Sequence, residues 1–146
     1  WQQYSERLVG NWITEETTVQ EICDFVERVY QRRDYTGFTG DRKFIRDDQA
    51  QKSFSKLRGA IAGTYLWRLG ALTGIPTPPA YQPKTEEQRQ RLLREAEFAW
   101  KQAFAYCPYS PEAVFKYAGL LLNLPGRMAD AKLIAETALS LDPNND

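Results

Sequence analysis

Two stretches near the C-terminus decide the fold: EAEFAWKQAFAYCPYS (95–110) and DAKLIAETALSLDPNN (130–145). When they are aligned, two alanines and a proline recur 35 residues further along the chain. The matched pairs are Ala96 with Ala131, Ala103 with Ala138, and Pro108 with Pro143. A period of about 20–50 residues is typical of helical units that stack on their neighbours. The sequence therefore predicts stacked antiparallel helical hairpins.

The composition fits one helical domain and argues against several functions. The chain has 146 residues, enough for a sizeable core, and no His. Without His, the Ser-His-Asp and Cys-His nucleophile arrangements and His-ligated zinc are excluded. The 19 basic and 19 acidic residues cancel, which argues against binding to nucleic acid. We therefore expect a single domain over residues 1–146 that binds a protein or peptide, with no catalytic site, metal or cofactor.

The two cysteines and the lengths of the apolar stretches argue against thiol chemistry and against insertion into a membrane. Cys23 and Cys107 each lie in an apolar-patterned segment, which favours buried small side chains over a disulfide, a catalytic thiol or a metal site. Arg, Lys or Gly interrupts every apolar stretch before the roughly 18–20 residues that a membrane helix needs, so no membrane insertion is predicted. Because the chain begins with Trp1 rather than Met, we expect an excised or processed piece of a longer protein.

Residues 1–48 are predicted to hold N-terminal helices and a loop. The spacing of Tyr4, Leu8 and Trp12 indicates a short first helix. Thr18 with Glu21 forms a capping-box pattern that begins a second helix. The apolar face of that helix comprises Val19, Ile22, Cys23, Val26, Val29 and Tyr30. The segment 34–48 has two glycines and many charges, and is predicted to be a surface loop.

Residues 49–110 are predicted to form a divergent hairpin whose two helices are separated by a proline-rich insert. Small residues alternate with large apolar ones from about 48 to 72, which indicates a helix packed closely against a neighbour. The insert 74–84 contains four prolines and cannot form a regular helix or a central strand. A plain connector and a ligand for a proline-recognition domain are both open readings of it. Thr85 with Gln88 then begins the second helix.

Residues 111–145 contain the clearest repeat. Ser110 is an N-cap with Pro111 at the first helical position, and Pro125 with Gly126 ends that helix. A last helix is predicted from about 128 to 141. No segment shows the period-two alternation of strands, so the predicted fold class is all-α.

The window 112–145 carries an aromatic, a glycine, a large apolar residue, two alanines and a proline at set intervals over 34 residues. These residues are Phe115, Gly119, Leu122, Ala131, Ala138 and Pro143. This pattern resembles the tetratricopeptide repeat, although Ala118 and Ala135 are smaller than the family's usual residues. The resemblance implies an α-α superhelix capped by the N-terminal helices. It also implies that Gly119 and Ala131 lie where the two helices of the hairpin approach most closely.

Tetratricopeptide arrays hold peptides or helices in a concave groove. The resemblance implies that the groove-facing positions here are Ala113, Lys116, Leu120 and Asn123. Lys116 fits the clamp that one subset of the family uses for carboxylates, but Leu120 stands where that clamp has Asn. Lys116 and Asn123 can donate hydrogen bonds and Leu120 can cover an apolar side chain, so a mixed polar and apolar peptide is the expected partner. A merely solvated Lys116 on a helix face is the alternative.

Three longer phrases carry a second resemblance: RLVGNW (7–12), FTGDRKFIRDDQAQKSFSKLR (38–58) and EAEFAWKQAFAYCPYSPEAVFKY (95–117). They are similar to the C-terminal tail of bacterial polytopic membrane proteins that resemble protein O-mannosyltransferases. Those proteins join a multi-helix glycosyltransferase region to a soluble tetratricopeptide tail. The resemblance implies a non-catalytic interaction module on the extracytoplasmic side of a larger membrane protein. A stand-alone soluble adaptor and an uncharacterised enzyme are the alternatives.

Overall fold

The computed structural model describes residues 1–141, and within that range it is all-helical, with no strand. The α-helices are α1 (Gln2–Val9), α2 (Val19–Phe25), α3 (Asp48–Arg68), α4 (Glu86–Tyr106), α5 (Pro111–Leu122) and α6 (Met128–Leu141). A π-helix, Val26–Gln31, directly continues α2. The predicted all-α class is confirmed. None of the helices in this range is both long and apolar enough to cross a membrane. Pro143 and the end of the predicted repeat lie outside the described residues.

The predicted helix starts are confirmed by their caps. The Glu21 backbone N–H donates to Thr18 Oγ1 at 3.2 Å, and the Thr18 N–H donates to a Glu21 carboxylate oxygen at 2.7 Å. The Thr85 hydroxyl accepts from the Gln88 N–H at 3.1 Å, and the Ser110 side chain caps α5 in the same way. Each cap satisfies a backbone N–H that has no partner inside its helix.

The helices α3 and α4 form the most extensive helix pair in the molecule. The Ser55 hydroxyl donates to the Ala103 carbonyl at 2.8 Å, and Arg58 Nε donates to Gln102 Oε1 at 2.6 Å. Because these polar groups are buried, their mutual hydrogen bonds offset the cost of removing them from water. The helix α3 ends at Arg68, before the predicted 72, since Gly70 adopts φ 71°, a conformation that ends helices.

Most of the segment 34–48 is exposed, as its charges predict, but two of its residues are buried in the core. Its Phe44 and Ile45 begin a short 3₁₀ turn and are 3% and 1% exposed. The Gln51 amide donates to the Phe44 carbonyl at 2.7 Å, and Arg33 donates to the Ile45 carbonyl at 2.8 Å. The two apolar side chains belong to the core, while the charged residues around them face solvent.

Lys101 fastens the segment between α1 and α2 to α4. Its ammonium is buried and donates to the carbonyls of Thr14, Glu15 and Thr17 at 3.5, 2.8 and 2.6 Å. Three carbonyls match the three N–H groups of a lysine. Burial lowers the pKa of this ammonium below its usual range.

Both thiols are buried, as the sequence predicts. Cys23 is 3% exposed and Cys107 is fully buried, and neither forms a disulfide. Burial raises the pKa of each thiol to about 11. A thiol in this state is inert at neutral pH because the thiolate is the reactive form.

Candidate partner-binding surface

The helix α5 has two different apolar faces. Ala113, Tyr117 and Leu121 are four residues apart and are buried against the rest of the molecule. On the opposite side, Phe115 is 80% exposed and Leu122 is 59% exposed. Seven residues make about two helical turns, so these two exposed side chains share one face.

The helix α6 also exposes apolar side chains. It buries Ala131, Ile134 and Ala138, while Met128 is 74% exposed and Leu139 is 51% exposed. The buried face packs against α5 and α2. Eleven residues make about three helical turns, so Met128 and Leu139 lie on one side of α6, next to its buried face.

The exposed residues of the two helices form what we call the apolar hairpin face: Phe115, Leu122, Met128 and Leu139. The helices α5 and α6 pack on each other, and each turns its other face into the same core. The four side chains are therefore exposed on the two helices of one hairpin. Exposed apolar groups are individually common on proteins, but a group of four on adjacent helices is typical of interaction surfaces.

Arg127 fixes the hairpin to α4 at its turn. Its guanidinium donates to both carboxylate oxygens of Glu97, at 2.7 and 3.3 Å, and to Asp130 at 2.5 Å. The bonds to Glu97 raise the pKa of Arg127, which keeps the guanidinium charged. Bidentate pairing of this kind specifies orientation as well as attraction. The apolar hairpin face is thus presented on a constrained pair of helices.

The four predicted groove residues are spaced three or four residues apart and so lie on one side of α5, but they differ in exposure. Ala113 is 2% exposed, and Leu120 is half-buried and packs against the core. Lys116 and Asn123 are exposed, and each directly follows a residue of the apolar hairpin face. The Asn123 amide donates to the Gly119 carbonyl at 2.7 Å. A role of these four residues in binding a partner stays a prediction.

The expectation for Gly119 is wrong. A Cβ atom at this position would meet no atom within 4 Å, so Gly119 does not mark a close approach of two helices. The helix α5 turns Tyr117 toward the core and leaves Gly119 on the outer side with Phe115 and Leu122. Ala131 and Ala138 are buried, 3% and 7% exposed.

The sequence pattern assigns Phe115 and Leu122 only to signature positions of the repeat, so the apolar hairpin face is not predicted from it. A signal for it was present in the sequence. The positions of Ala113, Tyr117 and Leu121 already supply one apolar stripe on α5, and a helix that packs on one side needs only one. A second stripe on the opposite side indicates a second contact surface.

The described residues include no group of three or more Cys, Asp or Glu side chains that could hold a metal ion. Comparison of the chain with models of known protein families, with characterised proteins and with solved structures gives no match. The functional argument therefore rests on the residues of this chain.

Proposed function

We propose that this chain is a non-catalytic protein-interaction module of the tetratricopeptide type, and that it binds its partner through the apolar hairpin face. The observation that carries the proposal is the exposure of Phe115, Leu122, Met128 and Leu139 on adjacent helices. Covering such a surface removes apolar area from water, which favours association by about 25 cal/mol per Å² before the costs of binding.

The border of the surface indicates the chemistry of the partner. Lys116 and Asn123 are exposed one position after Phe115 and Leu122, about 100° around the helix, and the Lys116 ammonium donates to no group within residues 1–141. A partner helix with an apolar stripe and an acidic or carbonyl-rich edge would satisfy both parts of the surface. We therefore propose an amphipathic protein segment, not a nucleic acid, as the ligand.

The resemblance of residues 38–58 and 95–117 to the tails of mannosyltransferase-like membrane proteins supports a role as the extracytoplasmic, C-terminal part of a larger glycosyltransferase-like protein. A stand-alone adaptor is the alternative. An antibody against this domain, applied to soluble and membrane fractions of the producing cells, separates them. A large membrane-bound band supports the first, and a soluble band near 16.8 kDa supports the second.

Site-specific photo-crosslinking tests the binding surface. A benzophenone amino acid replaces Phe115 in one variant and Tyr4, an exposed aromatic residue on α1, in the control. We expect a discrete crosslinked adduct between this chain and its partner protein from position 115, and no such adduct from position 4. Adding Leu122→Asp should abolish the adduct, because a charge cannot be covered by an apolar partner without cost. The same adduct from both positions, or no adduct from position 115, contradicts the proposal.

A further inference from the structure

The proline-rich segment 74–84 is hydrogen-bonded to the end of α3 and forms one wall of a surface cleft. The Trp67 indole N–H donates to the Pro76 carbonyl at 3.3 Å, and the Thr77 hydroxyl donates to the Trp67 carbonyl. Arg68 Nε donates to the Tyr81 carbonyl at 3.0 Å, and the rings of Trp67 and Tyr81 lie 5.5 Å apart. These contacts hold the segment against the end of α3.

A cleft of about 520 Å³ lies between this wall, the end of α3 and the first half of α4. Its volume falls within the range of about 300–1,000 Å³ typical of small-molecule sites. The polar side chains that line it are Tyr65, Arg68, Gln82, Lys84, Gln88, Arg91 and Glu95. We call it the basic cleft. It includes no residue of the α5–α6 hairpin, so it is independent of the apolar hairpin face.

The basic cleft is rich in hydrogen-bond donors. Within the described part of the chain, the Lys84 ammonium and the Arg91 guanidinium take part in no ion pair and no hydrogen bond. Arg68 uses only its Nε, so its two terminal nitrogens stay available. The Gln88 side-chain oxygen accepts from the Lys84 backbone N–H at 2.8 Å, which leaves the amide N–H groups as donors.

The charge of the cleft is unbalanced although that of the chain is not. Arg68, Lys84 and Arg91 oppose the single carboxylate of Glu95, which gives three positive charges against one negative. A phosphate monoester carries about −1.5 to −2 at pH 7 and offers three acceptor oxygens. Guanidinium groups bind such oxygens in pairs, and a lysine adds a further charge.

A second cavity that contains charged residues is a poorer candidate. It has a volume of about 440 Å³, and Glu21 and Asp24 lie at its border. These carboxylates already accept hydrogen bonds from Thr18 and Gln20. The charged groups of the basic cleft are not satisfied in this way.

We propose that the basic cleft binds a small ligand through a phosphate or diphosphate group, held by Arg68, Lys84 and Arg91. The wall formed by residues 74–84 holds Lys84 and orients Arg68 toward the site. The binding would depend strongly on salt, because exposed charges are screened over about 10 Å at 0.1 M ionic strength.

Calorimetric titration with inorganic pyrophosphate tests the proposal, with citrate as a carboxylate probe of comparable charge. We expect pyrophosphate to bind with a Kd near or below about 1 mM, and more tightly than citrate. Arg91→Gln should weaken binding about tenfold, and Glu95→Gln should strengthen it by removing the opposing charge. Thermal unfolding confirms that both variants fold.

Arg89→Gln is the matched control. It makes the same charge change on the same helix, but Arg89 is exposed beside Glu86 and does not line the cleft. We expect less than about a twofold change in this variant, since an exposed surface charge contributes little. Equal losses in the Arg89 and Arg91 variants, tighter binding of citrate, or no binding of pyrophosphate at about 10 mM would overturn the proposal.

Discussion

Gly59 on α3 lies against the indole ring of Trp100 on α4, so closely that a Cβ atom at Gly59 would be 2.8 Å from Cζ3 of the ring. Trp100 is 3% exposed and fills the space between the two helices. Gly59 has an ordinary helical backbone, so its role is to leave room for the ring and not to permit an unusual φ. The pairing of α3 with α4 depends on this contact.

Gly59→Ala should therefore lower the free energy of unfolding by about 1–3 kcal/mol, because the added methyl group displaces a buried ring. Gly119→Ala is the matched change within a helix, at a position where a Cβ meets no atom within 4 Å. It should raise the free energy of unfolding by about 0.5–1 kcal/mol, since alanine favours the helix over glycine. Urea unfolding followed by circular dichroism measures both. If Gly119→Ala instead lowers the free energy of unfolding, Gly119 does lie at a close approach of two helices, as the repeat pattern implies.

Local signals in the sequence predicted the helices well. The caps at Thr18, Thr85 and Ser110 depend on residues within one turn of each other, and a linear pattern reveals them. The all-α class followed from the same local periodicity. The proline-rich segment was also correctly placed outside helices, because proline lacks the N–H that a helix interior uses.

Contacts between distant residues were not visible in the sequence. Nothing in the segment 14–17 indicates that its carbonyls accept from Lys101, which lies 84 or more residues away. The burial of Phe44 depends likewise on packing against α3 and α4, and its charged neighbours suggested a solvent-exposed loop. The same limit applies to the candidate site, because the outward orientation of Phe115 depends on which side of α5 packs.

Lys101→Met should lower the free energy of unfolding by about 2–3 kcal/mol. Methionine retains much of the buried side-chain volume but leaves the carbonyls of Thr14, Glu15 and Thr17 without their donor, and the loss at the buried Thr17 carbonyl has the largest cost. Chemical unfolding at pH 7 gives the value. Lys132→Met, at an exposed lysine on α6, should change the free energy of unfolding by no more than about 0.5 kcal/mol. Equal effects of the two variants would show that the carbonyl contacts do not stabilise the fold.

The fold should lose stability in alkaline solution. Burial raises the pKa of Cys23 and Cys107 from 9.0 to about 11, so between these values the folded protein holds protons that the unfolded chain releases. The stabilising contribution is complete below pH 9 and is lost as the pH rises toward 11. We expect a loss of about 1–3 kcal/mol for each thiol. Burial also raises the pKa of Tyr30 and Tyr117, so these two groups add to the loss of stability at high pH. Burial lowers the pKa of Lys101, so this group has the opposite effect on the pH dependence of stability.

Urea unfolding at a series of pH values measures this dependence. Cys107→Ala removes one of the two thiols and should make the decline less steep. If the free energy of unfolding falls just as steeply with pH in Cys107→Ala, groups other than this thiol cause the loss of stability. A free energy of unfolding that rises toward pH 11 would contradict the prediction for both thiols.

Arg127→Gln should loosen the α5–α6 hairpin more than the rest of the molecule. The change removes the bidentate bonds to Glu97 and leaves that carboxylate, 18% exposed, without its partner. Cys23 packs against α6, where its thiol lies 3.9 Å from the Leu133 carbonyl, whereas Cys107 follows α4. If the hairpin opens locally, the thiol of Cys23 should react with a thiol reagent about tenfold faster than before, while the rate at Cys107 changes much less.

Mass spectrometry of the labelled peptides distinguishes the two thiols. Lys132→Gln is the control, because it removes an exposed ion pair with Glu136 on the outer side of α6 and should leave both rates unchanged. Parallel acceleration at Cys23 and Cys107 in the Arg127 variant would mean that Arg127 stabilises the whole fold and does not act on the hairpin in particular. Selective acceleration at Cys23 would show that the hairpin can separate from the core without global unfolding. The apolar hairpin face would then be carried on the part of the molecule that Arg127 holds in place.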